Sequence, residues 1–170
     1  RRQRQMCIRD RCDDVEARAA VKAAYEYVGP VYLRFGRLAV PVLNDESTYK
    51  FEIGKGVKLK DGKDISIIAT GLCVSEAVKA VDMLAADGID AELINIHTIK
   101  PIDEDIIAET AQKTGRVFTV EEHSIIGGLG SAVAEVLAEK CPTKLTRIGV
   151  RDTFGESGPC LLYTSPSPRD

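Results

Sequence analysis

From residue 65 onward, short apolar runs alternate with amphipathic helical stretches, and this alternation leaves few folds open. The runs are 65–70, 91–96, 116–120 and 145–150, each apolar enough on both sides to be a strand covered on both faces. Between the first two runs, Val74, Val78, Val81 and Leu84 recur at helical spacing, and Gly88 stops the helix. Asp103 caps the next helix, which carries Ile106, Ile107 and Ala111 and closes at Gly115. A further helix presents Leu129, Ala132, Val133, Val136 and Leu137. Strand, helix and strand in repeated succession specify an α/β fold: three layers, with a mostly parallel sheet and helices on both faces.

The stretch ahead of this domain has a different character. Asp13 reads as an N-cap with Glu16 three residues on, and Val15, Ala19 and Tyr25 follow at helical spacing. Gly29 and Pro30 end that helix, and 31–35 is β-branched and aromatic enough for a strand. One helix and one strand cannot bury both their faces, so 12–37 reads as the last helix-strand unit of a truncated α/β domain. Residues 38–60 are polar and broken by Asn44-Asp45, Gly54 and Gly56, the pattern of an interdomain linker with room for a short strand pair. The remaining domain is expected over 61–159.

Both ends are misfits. The head RRQRQMCIRDR and the tail CLLYTSPSPRD have no period that could bury a face. The bases TGT CTC TTA TAC ACA TCT encode CLLYTS, and the opposite strand encodes MCIRD; both belong to a transposase end used to prepare sequencing libraries. Residues 1–11 and 160–170 are therefore expected to be adaptor-derived, non-native and packed against nothing. The head holds five Arg and one Asp and the tail is neutral, so removing them takes the formal charge from −3 to −7. So acidic a chain offers no electrostatic footprint for nucleic acid. No apolar run approaches a membrane span, and no secretory segment is present. Cys12, Cys73 and Cys141 show no paired or metal-binding spacing, which points to a reduced, cytoplasmic protein with no metal site.

Three short stretches carry candidate chemistry. EEHSIIGGLGSAVAEVL follows the third apolar run and opens a helix, where open α/β sheets place ligands. Gly127, Gly128 and Gly130 either let the backbone approach an anion or pack the turn tightly against a neighbouring subunit; the loop residue His123 is either a substrate contact or an interface residue. TIKPID holds Lys100 extended before Pro101, and His97 beside it reads as a structural core residue. In LRFGR, Arg34 and Arg37 bracket a strand end and would suit either a phosphate or interdomain ion pairs. No nucleophilic triad, metal-ligand cluster or phosphate loop is present, so no catalytic residue is assigned.

Read together, GPVYLRFGR, ISIIATGLCVSEAVKAVDML, NIHTIKPID, FTVEEHSIIGGLGSAVAEVL and GVRDTFGESG resemble the C-terminal part of transketolase. More narrowly they resemble the C-terminal subunit of split bacterial and archaeal transketolases. Deoxyxylulose-phosphate synthase and the beta subunit of 2-oxo-acid dehydrogenases share this layout and are the alternatives, the latter as a docking domain. The resemblance implies a thiamine-diphosphate enzyme with Mg2+ that moves two-carbon ketol units between sugar phosphates. It implies that 12–37 ends a pyrimidine-binding domain and that the activating Glu lies outside this chain. The fragment would bind no cofactor by itself and be inactive alone. An N-terminal subunit or domain would be its partner, in a homodimer or heterotetramer. Arg37, or else Arg34, would take the substrate phosphate, and the C-terminal domain would serve structure and dimer contact.

Overall fold

In the computed structural model, the residues described are 7–9, 12–36 and 40–152. Five strands form the main sheet: β3 (Val57–Lys60), β4 (Ile65–Ala69), β5 (Ala91–Asn95), β7 (Arg116–Ser124) and β8 (Lys144–Val150), in the order β3-β5-β4-β7-β8. Here β6 denotes Thr98–Lys100, outside that sheet. β5, β4, β7 and β8 run parallel, and β3 pairs antiparallel to β5.

Alternate residues of the central strands serve opposite faces. Ile68, Ile94 and Val117 pack with Ile107 and Ala111 of α3 (Glu104–Thr114) and with Leu129, Val133 and Leu137 of α4 (Leu129–Lys140). Ile67, Ala69 and Leu93 pack instead with Val74, Ala77 and Val81 of α2 (Cys73–Ala86). The expected three layers are thus present, and each fully buried isoleucine contributes about 1.5–3 kcal/mol of transfer free energy. Glu92 is the exception within this core. It is fully buried on β5, and it is held by Lys58 Nζ at 2.9 Å, Lys113 Nζ at 3.3 Å and the hydroxyls of Ser66 and Thr110.

The first unit comprises α1 (Asp14–Glu26) and β2 (Val31–Leu33), as the periodicity predicts. Asp13 is the N-cap, accepting from Glu16 N at 2.8 Å. Tyr25, Val28, Tyr32 and Phe35 of this unit stand exposed.

Four expectations change. The head does not lie wholly outside the packing: β1 (Cys7–Arg9) runs parallel to β2 and antiparallel to β6 in a second, three-stranded sheet. TIK, read in the sequence only as an extended stretch before Pro101, forms the strand β6. The last residues of the expected linker, VKLK, form β3 at the edge of the main sheet, with Lys58 turned to the buried Glu92. Finally, β7 continues through Ser124, so His123 sits on a strand and not on a loop, because pairing with β8 resumes at Ser124–Val150 after a register shift. The tail residues 160–170 lie outside the described residues.

Candidate functional site

In the main sheet β4 is followed in the chain by β5 on one side, while β7 lies on its other side. The carboxyl ends of β4 and β7 therefore flank the point where strand order reverses, the place where open α/β sheets form a crevice. The segment leaving β2 crosses this point. Gly36 lies over the β4–α2 turn, where an added Cβ would stand 3.3 Å from Leu72 Cδ2.

This crossing brings Arg34 onto the end of β7. Arg34 Nη1 meets both ring nitrogens of His123, Nδ1 at 2.7 Å and Nε2 as well. Arg34 Nη2 lies 3.5 Å from Glu122 Oε1, and His123 Nε2 lies 3.8 Å from that same oxygen. A guanidinium only donates and a neutral imidazole has one acceptor nitrogen, so one of the two ring nitrogens accepts from Arg34 and the tautomer sets which. Two residues singled out separately in the sequence, Arg34 and His123, are thus partners. Glu122 is the third member, and adjacency to His123 was the only hint of it. Arg37 lies outside the described residues.

The glycine turn is not an anion seat. Glu121, fully buried, accepts from Leu129 N through Oε2 and from Gly130 N through Oε1, both at 2.8 Å. These are the amides that an incoming phosphate would use at the start of α4, so the chain's own carboxylate already satisfies them. Burial pushes the Glu121 carboxyl above its ordinary value, against the downward pull of those two amides. Gly128, the N-cap of α4, leaves space for this arrangement: a Cβ there would meet Glu121 Oε2 at 2.0 Å. Gly127 is exposed, with φ +77°, and its amide donates to Ser131 Oγ at 2.9 Å.

A second polar cluster joins the first unit to the domain. Asp13 Oδ2 accepts from Leu43 N, Asn44 N and Asn44 Nδ2 at 2.8–2.9 Å. Asn95 Nδ2, at the end of β5, donates to Glu16 Oε2 at 2.8 Å and lies 3.4 Å from Cys12 Sγ. The Cys12 thiol donates to Glu16 at 2.6 Å. Burial first, and then the Glu16 charge, push that thiol far up, so it stays protonated. Cys12, Asp13 and Glu16 bring their ligand atoms within 4.8 Å of one another, the one such group among the described residues. The thiol is protonated, Asp13 serves backbone and side-chain amides, and Glu16 Oε2 takes the thiol and Asn95, so the cluster ties the start of α1 to the linker and to β5. His97 is buried as expected, with Nδ1 on Thr98 Oγ1 at 2.8 Å and its ring stacked on Phe51. Cys12, Cys73 and Cys141 form no disulfide among the described residues.

Residues 54–167 match the family model described as "Transketolase, C-terminal domain". The chain belongs to the transketolase C-terminal domain family. It is 46% identical over 153 residues to the 6-deoxy-6-sulfo-D-fructose transketolase subunit of Clostridium sp. (strain MSTE9), covering 90% of this chain and 47% of that protein. It is 48% identical over 148 residues to the putative transketolase C-terminal section of Methanocaldococcus jannaschii, covering 86% and 46%. A 1-deoxy-D-xylulose-5-phosphate synthase of Heliobacterium modesticaldum is 39% identical, covering 86% of this chain and 23% of the synthase. Among solved structures, one described as "Split gene transketolase, inactive beta4 tetramer" superposes with a TM-score of 0.87 at 47% identity, over 89% of this chain and 50% of that one. The chain spans about half the length of the transketolase relatives it matches.

Two places in this transketolase domain were candidates for thiamine diphosphate or Mg2+, the start of α4 and the acidic cluster at the start of α1. The helix start that would suit a diphosphate is filled by Glu121, and in the acidic cluster Asp13 is engaged by Glu16 N, Leu43 and Asn44 while Glu16 Oε2 takes the Cys12 thiol and Asn95. Among the described residues, no helix is long and apolar enough to cross a membrane.

Proposed function

We propose that the complete protein is a transketolase using thiamine diphosphate and Mg2+ to move a two-carbon ketol unit between phosphorylated sugars. In this reading 12–37 is the end of the pyrimidine-binding domain, a linker follows up to β3, and the rest to residue 159 is the C-terminal structural and dimer-contact domain. The cofactor is gripped by an upstream domain and by an N-terminal partner subunit, in a homodimer or heterotetramer. Residues 1–11 and 160–170 are adaptor-derived, and the protein works in the cytoplasm. Arg37 and Arg34 take the anionic end of the substrate, while Gly127 and Gly128 lie on an interface.

The observation that carries this reading is the Arg34 guanidinium, 43% exposed, held where the first unit crosses the sheet's switch point. A fixed fork of donors suits a tetrahedral oxyanion. Two relatives are named for sugars with such an end, a 6-sulfo-fructose and, at 43% identity, apulose 4-phosphate. The split-gene structural neighbour supports a separate N-terminal partner.

The test is a reconstitution. The chain with thiamine diphosphate and Mg2+ is expected to give no calorimetric binding signal and no ketol transfer from xylulose phosphate to ribose phosphate. Restoring the upstream domain and the partner subunit should recover transfer. Transfer by residues 12–159 alone, free of host enzyme, would overturn the reading. Condensation of pyruvate with glyceraldehyde phosphate by the restored enzyme would instead assign it to the synthase, which the 39% identical relative represents.

A further inference from the structure

We propose that the sheet face of β7 and β8 beside α2 is the seat of one more helix, amphipathic and supplied by the natural chain downstream of β8. The inference rests on the reading above in which residues 160–170 are adaptor-derived. It concerns how the domain is completed and not the ketol chemistry.

The sheet is covered unevenly. On one face α3 and α4 pack from Ile94 across to Val117 and Leu145, whereas on the other α2 lies over Ile67 and Leu93 of β4 and β5. Beside α2, a cavity of about 630 Å³ opens over Phe118, Val120 and Ile148 of β7 and β8. Among the described residues nothing closes it, and Met83 stands 71% exposed on its wall. Parallel strands are found with both faces covered. Crossover handedness tells where the cover comes from. The step from β4 to β5 runs one way along the sheet and places α2 on one face; the steps from β5 to β7 and from β7 to β8 run the other way and place α3 and α4 on the opposite face. A helix that leaves β8 and turns back over β7 runs in the direction of the β4-to-β5 step again. Right-handedness therefore sets it on the α2 face, over Phe118 and Ile148. β8 is the edge strand and Asp152, just beyond it, is the last described residue, so the chain leaves the sheet at the border of this opening. α2 and α4 span the same sheet with 14 and 12 residues, which sets the length required. The floor is apolar and Glu76, Lys79 and Asp87 stand along the α2 rim, an arrangement that suits a helix apolar on one side and charged on the other.

The test reads the gene past the codon for Pro159 and then uses what it encodes. A natural continuation with an amphipathic stretch of about 12 residues or more is expected. If the gene itself encodes CLLYTSPSPRD and stops, the adaptor reading fails and this inference with it. A different continuation without such a stretch overturns this inference alone. The stretch, made as a peptide, is then added to the 170-residue chain. The chain by itself should brighten anilinonaphthalenesulfonate, and the peptide should bind one to one in calorimetry, displace the dye and raise Tm. Phe118→Asp should weaken peptide binding at least about tenfold, the loss of one large apolar contact. Val28→Asp, on the first unit, should leave binding unchanged. Should Phe118→Asp not fold, Met83→Asp on the cavity wall carries the same comparison. A peptide that fails to bind, or that binds these cavity variants as tightly as the wild type, overturns the inference. So does a dark dye on a monomeric chain, which would mean that the face is covered already, and so does a dimer that the peptide cannot part, which would mean that a second copy covers it. Ketol transfer by the restored enzyme judges the transketolase reading separately.

Discussion

Arg34 and His123 are 89 residues apart in the chain, yet Arg34 Nη1 lies 2.7 Å from His123 Nδ1. The contact spans two units that sequence patterning keeps separate, the α1–β2 pair and the β4–β8 domain. Because the trio is partly exposed, its thermodynamic weight is small. Arg34→Ala and His123→Ala should each change the free energy of urea unfolding by less than about 1 kcal/mol. A loss well beyond that would make the clasp a structural tie.

Asp13 ties the start of α1 to the linker by a buried route. Its carboxylate serves Glu16 N, Leu43 N, Asn44 N and Asn44 Nδ2 while 2% exposed. Asp13→Ala removes an N-cap and strands several amides, each worth about 1–3 kcal/mol when left unsatisfied in the interior. The urea midpoint should fall steeply, and hydrogen exchange at Leu43 and Asn44 should accelerate. Asp13→Asn should recover part of the loss.

Two adjacent glycines separate space from backbone strain. At Gly128 a Cβ would meet Glu121 Oε2 at 2.0 Å and Ser124 O at 2.6 Å, so Gly128→Ala must displace a buried carboxylate. At Gly127 nothing lies within 4 Å, and φ +77° is the sole obstacle, costing about 1–2 kcal/mol for an L residue. Thermal denaturation should rank Gly128→Ala as the more damaging. The reverse order would contradict the placement of Glu121 beneath the turn.

Glu121 should also leave a signature in the pH dependence of stability. Burial raises its folded value above the ordinary 4.5. The folded state therefore holds this proton more tightly than the unfolded chain does. Its contribution is full below 4.5 and is lost as pH rises through the higher folded value. Unfolding free energies of the wild type minus those of Glu121→Gln should decline as pH rises across that window. A difference that grows with pH would mean that the two amides at 2.8 Å outweigh burial.

Much of the architecture was legible in the residues themselves, because helix and strand periods and caps act over a few positions. Val74 and Val81 at helical spacing, Ile67 and Ile68 on opposite faces of β4, and Asp13 and Asp103 as caps all follow from local backbone geometry. The family, too, was legible in motif order. Only the tertiary structure decided what those motifs do. That Arg34 meets His123, that Asp13 holds the linker as well as the helix, and that Glu121 occupies the start of α4 depend on which strands lie side by side. Strand order is a property of the assembled sheet, and no local pattern encodes it. VKLK was equally ambiguous alone, and it became β3 because β5 offered it an unpaired edge.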